Sequence, residues 1–300
     1  MDVSVIIVNY NTRDMLRDCL SSLAEKTSGL SFETIVVDND SSDGSAEMVG
    51  KMFPETMLVC AGENLGFGKA NNLGATRARG KYLFFLNSDT VLINNALYEL
   101  FSFMERTPAC AIAGGNLFDI RGRPIHGHSL ALPSPATDLV RLLPGSFRLL
   151  YGKNWTHNFT GKPLRVAYVT GADLMMPKCV FDQVGGFDPS FFMYYEETEL
   201  ASRVRALGLY AYSVPTAKIT HIKGGSLENL DSVKSIVYQS KYRYMAKVHG
   251  KYGAIRSYLA FSFFCLVKIT MNALRFKNKS VKRYTELLLL NRQIFRSESR

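Results

Sequence analysis

Apolar and polar positions along this chain follow two rhythms. Short β-branched or aromatic runs alternate with stretches whose apolar residues recur every three or four positions. The runs Val3–Val8, Thr34–Asp38, Met57–Cys60, Tyr82–Leu86 and Ala111–Gly114 predict strands, because a short, nearly continuous apolar run fits a strand covered on both faces. Between them Met15, Leu16, Cys19, Leu20 and Leu23 fall on one side of a helix, as do Ala70, Leu73 and Ala78 less cleanly. This alternation over residues 1 to about 120 predicts an α/β fold: βα units feeding a mostly parallel sheet flanked by helices.

From Gly122 to Gly161 the periodicity fails among Pro124, Pro133, Pro135 and Pro144, which predicts long loops with a short helix near Asp138–Leu143. Such a loop in a compact domain is usually functional or mobile. Regular pattern resumes over Arg165–Met176, followed by a helix over Lys178–Val184, a Gly185-Gly186 break and a helix from about Glu196 to Leu207. Strands near Tyr210–Val214 and Lys218–His221 follow, and then only helix-like segments.

In open α/β sheets, ligands bind outside the carboxyl ends of the strands. Three polar clusters stand there: Asn9-Tyr10-Asn11-Thr12, Asp38-Asn39-Asp40-Ser41-Ser42-Asp43, and Asn87-Ser88-Asp89. Parallel strands would bring all three to one edge. Ser88 or Asp89 either caps a helix starting near Asn94 or helps to hold a hard divalent cation shared with substrate phosphates. Asp38, directly after three β-branched residues, is placed to accept from a ribose hydroxyl or a base NH. Asp43 is placed to cap the next helix.

Gly66-Phe67-Gly68 lacks the third glycine of a dinucleotide fingerprint, since position 71 is Asn71, so an oxidoreductase reading is weak. Glu196, Glu197 and Glu199 follow the bulky run Phe191–Tyr195. Acidic residues favour a helix N-terminus, and Glu199 with Arg203 can simply pair across one turn. Crowding and burial would also raise a carboxylate pKa toward that of a general base. A lone His221 is more often packed than ligating unless other groups converge on it.

Net charge is +10, and its placement changes the picture more than its size. Residues 231–300 hold 15 Lys and Arg against three acids, whereas the rest of the chain is close to neutral. The five cysteines form no CxxC pair, and no secretory leader precedes the first strand, which together predict a reduced, cytoplasmic setting. The Asn154 and Asn158 sequons therefore carry no weight.

In order, Val5–Asn11, Val36–Asn39, Asn64–Gly68 with Asn71-Asn72, Leu86–Asp89, Gly171-Ala172, Gly186–Asp188 with Glu196-Glu197, and His221 closely resemble the family 2 glycosyltransferases, above all their rhamnosyltransferase-like branch. The resemblance spans about residues 3–226. It implies a GT-A fold and inverting transfer of a sugar, rhamnose in that branch, from a nucleoside diphosphate to a lipid-linked or polymeric glycan. Asn9, Asn11, Asp38, Asn64, Gly66, Phe67, Asn71, Asn87 and Ser88 would bind the nucleotide-sugar. Asp89, with His221, would hold Mn²⁺ or Mg²⁺. Glu197, or Glu196 beside it, would be the base. Gly171, Ala172, Asp188, Glu199 and Arg203 would serve the acceptor or support the site. Two departures stand out: Asn87 where the DxD-like motif has its first acid, and Glu197 where many relatives carry Asp. They leave room for a non-catalytic sugar-binding subunit, and a related sheet could serve a nucleotidyltransferase.

The resulting organisation is a catalytic domain over 1–230, its 1–120 part binding donor and its 121–230 part binding acceptor, followed by a basic helical extension over 231–300. Within the extension Tyr258–Leu274 is apolar but interrupted by Lys268. It reads either as a helix lying in a membrane interface, with Lys277, Lys279, Lys282 and Arg283 against anionic lipid, or as a core helix with a solvated basic face. The first reading places the protein peripherally at the inner face of the cell membrane. No nucleic-acid motif accompanies the charge.

Overall fold

The computed structural model describes residues 1–140, 145–222 and 230–298. In chain order the elements are β1 (Val3–Asn9), α1 (Arg13–Lys26), β2 (Phe32–Asp38), α2 (Ser45–Met52), β3 (Met57–Cys60), α3 (Gly66–Ala75), β4 (Tyr82–Asn87), β5 (Thr90–Leu92), α4 (Ala96–Glu105), β6 (Cys110–Phe118) and β7 (His128–Ser129). There follow α5 (Pro135–Val140), α6 (Ser146–Tyr151), β8 (Leu164–Val166), β9 (Tyr168–Val169), β10 (Asp173–Pro177), α7 (Lys178–Val184), α8 (Glu196–Ala206), β11 (Tyr210–His221), α9 (Leu230–Ala273) and α10 (Asn278–Glu298).

Residues 1–131, 151–192 and 196–228 make one compact unit, and 132–150, 193–195 and 229–300 make a second. The first unit is built on a nine-stranded sheet in the order β3-β2-β1-β4-β10-β6-β11-β5, with β8 also on β11. Strands β1, β2, β3 and β4 are parallel, as the βα rhythm predicts, while β10 runs antiparallel between β4 and β6. Alternate residues of the strands feed opposite faces. Val5, Ile7, Val36 and Phe84 pack with Leu16, Leu20, Leu97 and Leu100; Ile6, Ile35, Leu83 and Phe85 pack with Ala70, Phe181, Leu200 and Val204. Burying each such Leu, Ile or Phe contributes about 1.5–3 kcal/mol.

Four local expectations change. No helix is capped by Ser88 or Asp89: the chain turns into β5, which pairs antiparallel with the end of β11, and α4 begins only at Ala96. The two strands expected around Val214 and Lys218 are one strand, β11, interrupted by a register shift against β6. The stretch Arg165–Met176 breaks into β8, β9 and β10, and Ala78 lies beyond the end of α3. Of the short helix expected over Asp138–Leu143, α5 accounts for the start, and residues 141–143 lie outside the described residues, as do Gly224, Gly225 and Ser226.

In the second unit α9 is broken at Gly250, whose φ of 71° and ψ of 176° are non-helical. Its C-terminal part packs along α10, with Tyr258 stacked on Phe295 at 4.4 Å. A buried ion pair joins Asp138 of α5 to Lys241 of α9 at 2.9 Å, and the Ser257 hydroxyl donates to the other carboxylate oxygen.

Candidate active site

The β1–β4 junction is where the strand order reverses, so a crevice opens at the carboxyl ends of these strands. Register puts Asn9 beside Asp38 and Val8 beside Asn87, so the three polar clusters do share one edge. A continuous hydrogen-bond chain links them. The Asn9 amide donates to Asp38 Oδ1 at 3.1 Å and to Ser41 Oγ at 3.0 Å, and Ser41 N–H donates to Asp38 Oδ2 at 3.0 Å. Thr12 donates to Asn9 Oδ1 at 2.7 Å, and its hydroxyl lies 2.8 Å from that of Ser88. Asn11 accepts from Ser42 N–H at 2.8 Å, and Asp43 accepts from the N–H groups of Arg13 and Ser45, tying the first two loops together and capping both helix starts.

The loop before α3 is held from within. Asn39 donates to Asn64 Oδ1 and Gly66 O and accepts from Leu65 N–H, while Gly66 N–H donates to Asn64 Oδ1 at 3.0 Å. Gly66 has φ +77°, and a Cβ there would lie 2.2 Å from the Phe192 carbonyl oxygen, to which Phe67 N–H donates at 2.8 Å. Gly66→Ala is therefore expected to unseat this loop. The left-handed φ alone costs about 1–2 kcal/mol, which lowers Tm by roughly 2–8 °C in a domain of this size. Thermal denaturation beside nucleotide titration measures both losses.

Just behind it, Asn72 grips the backbone of Phe187, donating to its carbonyl at 2.7 Å and accepting from its N–H at 2.9 Å. Phe67, Phe85, Phe181 and Phe187 form an edge-to-face aromatic cluster that fixes the same loop. Gly171 lies against the Phe67 ring, and the Ala172 carbonyl accepts from Asn87 N–H at 3.0 Å.

Glu196 and Glu197 open α8 beside this loop: a Cβ at Gly68 would touch Phe187 Cβ at 3.2 Å and Glu196 Cβ at 3.8 Å. Glu196 is 4% exposed and its Oε2 is buried without a hydrogen-bond partner; Glu197 is half-buried and accepts from the Thr198 hydroxyl at 3.0 Å. Burial raises the pKa of both, and for Glu196 the neighbouring Glu197 charge adds to it. Asp173 is a third acid of this kind. It is fully buried, accepts from Gly115 N–H, and burial holds its pKa well above the usual carboxylate range.

Asp89 and His221 converge as their motif order implies. Nε2 of His221 lies 3.1 Å from Asp89 Oδ1, the β5–β11 pairing sets this approach, and Ile222 N–H donates to the Asp89 carbonyl at 2.9 Å. Among the described residues there is no group of three or more candidate metal ligands. One carboxylate and one imidazole nevertheless fit a cation that keeps most of its coordination for water and substrate phosphate. His221 Nδ1 is buried and without a hydrogen-bond partner, the orphaned polar atom of this pair.

Four of the expected residues, Glu199, Arg203, Asn71 and Asp188, make contacts that hold the scaffold. Arg203 forms a fork to Glu199, with its Nε at 2.9 Å from both carboxylate oxygens, and also reaches the Val184 carbonyl, stapling α8 to the end of α7. Asn71 is buried and donates to Phe67 O inside α3. Asp188 accepts from Ser190 N–H at 2.9 Å in the turn before Phe191. Conversely Thr12, Asn39 and Asn72 hold the site together although their chemistry alone does not mark them. Their signal is position, directly after a strand or one turn into a helix.

A mixed sheet whose order reverses between β1 and β4, with helices on both faces, is the GT-A architecture of glycosyltransferases. Residues 4–163 match the family model described as glycosyl transferase family 2, and the chain belongs to that family. It is 26% identical over 267 residues to the N-acetylglucosaminyl-diphospho-decaprenol L-rhamnosyltransferase of Mycobacterium tuberculosis, covering 82% of this chain and 84% of that one. It is 30% identical over 212 residues to a low-salt glycan biosynthesis hexosyltransferase of Haloferax volcanii, covering 68% and 62%. Among solved structures, the mannosyltransferase of Pyrobaculum calidifontis in complex with GDP-Man and Mn²⁺ superposes with a TM-score of 0.58 at 14% identity, covering 99% of this chain and 85% of that one. GalNAc-T7 with UDP, GalNAc and Mn²⁺ gives 0.60 at 16% identity, over 82% of this chain and 47% of that one. These two likenesses bear on the fold.

Proposed function

We propose that this family 2 glycosyltransferase is an inverting, metal-assisted enzyme that moves a sugar, rhamnose in the narrowest reading, from a nucleoside diphosphate to a lipid-linked glycan in cell-surface polysaccharide synthesis. The observation that carries the reading is Glu197: a half-buried carboxylate of raised pKa at the start of α8, next to the loop whose Gly66–Phe67 backbone is locked in place. It takes the acceptor hydroxyl proton as that oxygen attacks the anomeric carbon from the face opposite the leaving diphosphate. Proton removal by a positioned carboxylate supplies about 10²–10⁴-fold. Glu196, enclosed and adjacent, is held protonated by burial and by the Glu197 charge, which leaves Glu197 as the carboxylate that ionises.

Asp38, Asn9 and Ser41 form the end of the crevice that receives the nucleoside, and Ser88 with Asp89 and His221 the end that receives the diphosphate. Mn²⁺ or Mg²⁺ held by Asp89 and His221 would act as a Lewis acid toward the departing phosphate oxygen. Two solved structures of this fold, both with Mn²⁺, support this assignment, as the mycobacterial relative's name supports a polyprenyl-diphosphate acceptor. All five cysteines are free, in keeping with a cytoplasmic enzyme working at the inner membrane face.

The test is transfer from a panel of nucleoside diphosphate sugars to a polyprenyl-diphosphate-linked N-acetylglucosamine. The expected result is one nucleoside diphosphate released per bond formed and an inverted anomeric centre by NMR. Retention at that centre overturns the base assignment. Release of pyrophosphate indicates nucleotidyl transfer, and donor binding without turnover on any acceptor indicates a binding subunit.

A further inference from the structure

The apolar part of α9 is not a core helix. Its most hydrophobic window, within Val233–Ala273, is only 22% buried inside the chain. After the break at Gly250, the side of α9 that meets α10 carries Tyr258, against Phe295, and Phe264, against Tyr284. The opposite side is a stripe of large apolar side chains turned outward: Leu259 is 56% exposed, Phe263 57%, Leu266 52% and Leu274 76%. These positions recur at helical spacing and share one face. The stripe runs into the turn before α10, where Phe276 is 90% exposed. A monomeric soluble protein rarely leaves so long an apolar face bare.

What surrounds the stripe identifies its occupant. No Asp or Glu occurs from residue 232 to 285, while Arg275, Lys277, Lys279, Lys282 and Arg283 follow the stripe within ten residues, all exposed. Lys268, the charge that interrupts the apolar run, lies nine residues past Leu259 and so on the opposite side of the helix. There it leans over the Phe264 ring at 5.6 Å. The stripe itself is therefore free of charge, and its flank is uniformly cationic. Two copies of this surface would repel each other; a bilayer bearing anionic headgroups attracts it. The outer face of α10 carries Lys282, Arg292 and Arg296, and Asn291 is hydrogen-bonded to Tyr242 and Ser262 between the helices, so the pair is built to lie on a bilayer and not to cross it.

We propose that the second unit docks on an anionic membrane through this stripe, with Leu274 and Phe276 entering the acyl boundary and the lysines of the turn and of the start of α10 on the headgroups. The inference deepens the membrane location in the functional reading above, but it rests on the surface alone, so its test reads no sugar transfer.

The experiment is co-sedimentation of the full chain with vesicles of phosphatidylcholine, alone or mixed with phosphatidylglycerol. Binding is expected only to the mixed vesicles and to weaken with salt. The double variant Lys277→Glu with Lys279→Glu is expected to lower partitioning by at least about tenfold. The triple variant Leu259→Ser, Phe263→Ser, Leu266→Ser is expected to remove the salt-resistant remainder. Every altered side chain is exposed, so circular dichroism and nucleotide-induced thermal shift should match wild type. Equal binding of wild type and variants, or none to either vesicle, overturns the proposal. Self-association that disappears in the triple variant, without vesicle binding, assigns the stripe to a second copy instead.

Discussion

Glu197→Gln is expected to reduce kcat by about 10²–10⁴-fold while leaving nucleotide binding and folding in place. The amide keeps the shape of the side chain and its reach toward the Thr198 hydroxyl, but it cannot take a proton. Glu196→Gln is expected to keep most of the rate, because the enclosed Glu196 side chain is not the one open to an acceptor. It should also leave the pH profile close to wild type, because burial and the Glu197 charge hold Glu196 protonated while Glu197 ionises. Burial raises the Glu197 pKa, so the acid limb of kcat/KM lies above the ordinary glutamate range and activity rises with pH through it. Steady-state rates across pH for the wild type and both variants test this. An unchanged rate in Glu197→Gln would return the role of base to Glu196 or to another group.

Asp89→Ala is expected to remove both transfer and the metal-dependent part of donor binding. A ligand at 100 times its Kd adds about 2.7 kcal/mol, which in a domain of this size amounts to roughly 5–11 °C in Tm. Wild type should show such a shift with the cognate nucleoside diphosphate and Mn²⁺, and little with EDTA. The variant should show the EDTA behaviour throughout. His221→Ala should fall between the two, since it removes one of the two proposed ligands and also the partner lying 3.1 Å from the Asp89 carboxylate. If Asp89→Ala retains a full metal-dependent shift, the cation is held elsewhere.

Much of this was legible from local pattern. Val3–Val8, Met57–Cys60 and Lys178–Val184 are runs whose neighbours in sequence decide their state, and the structure has them as read. The polar edge was legible for the same reason: parallel strands put their carboxyl ends together. What local pattern cannot show depends on distant pairing. Thr90–Leu92 is a strand because β11 returns beside it from over a hundred residues away. Thr12 resembles an ordinary helix cap, yet no side-chain cap bond forms, and its hydroxyl bridges Asn9 to Ser88 instead. Asn72 gains its role from the backbone of a residue 115 positions later. Composition marked the tail as basic, but which face of α9 stays bare was set by where α10 folds back.

The buried acids bear on how such an enzyme responds to selection. Glu196, Glu197 and Asp173 have folded pKa values raised by burial, so the native state holds their protons more tightly than the unfolded chain does. Their stabilising contribution is complete below the unfolded pKa and is lost as pH rises through the folded pKa. At neutral pH, an amide at Glu197 escapes that loss, and a Glu codon becomes a Gln codon by one base change. A directed-evolution campaign scored on heat resistance alone would therefore enrich folded, donor-binding, inactive enzymes.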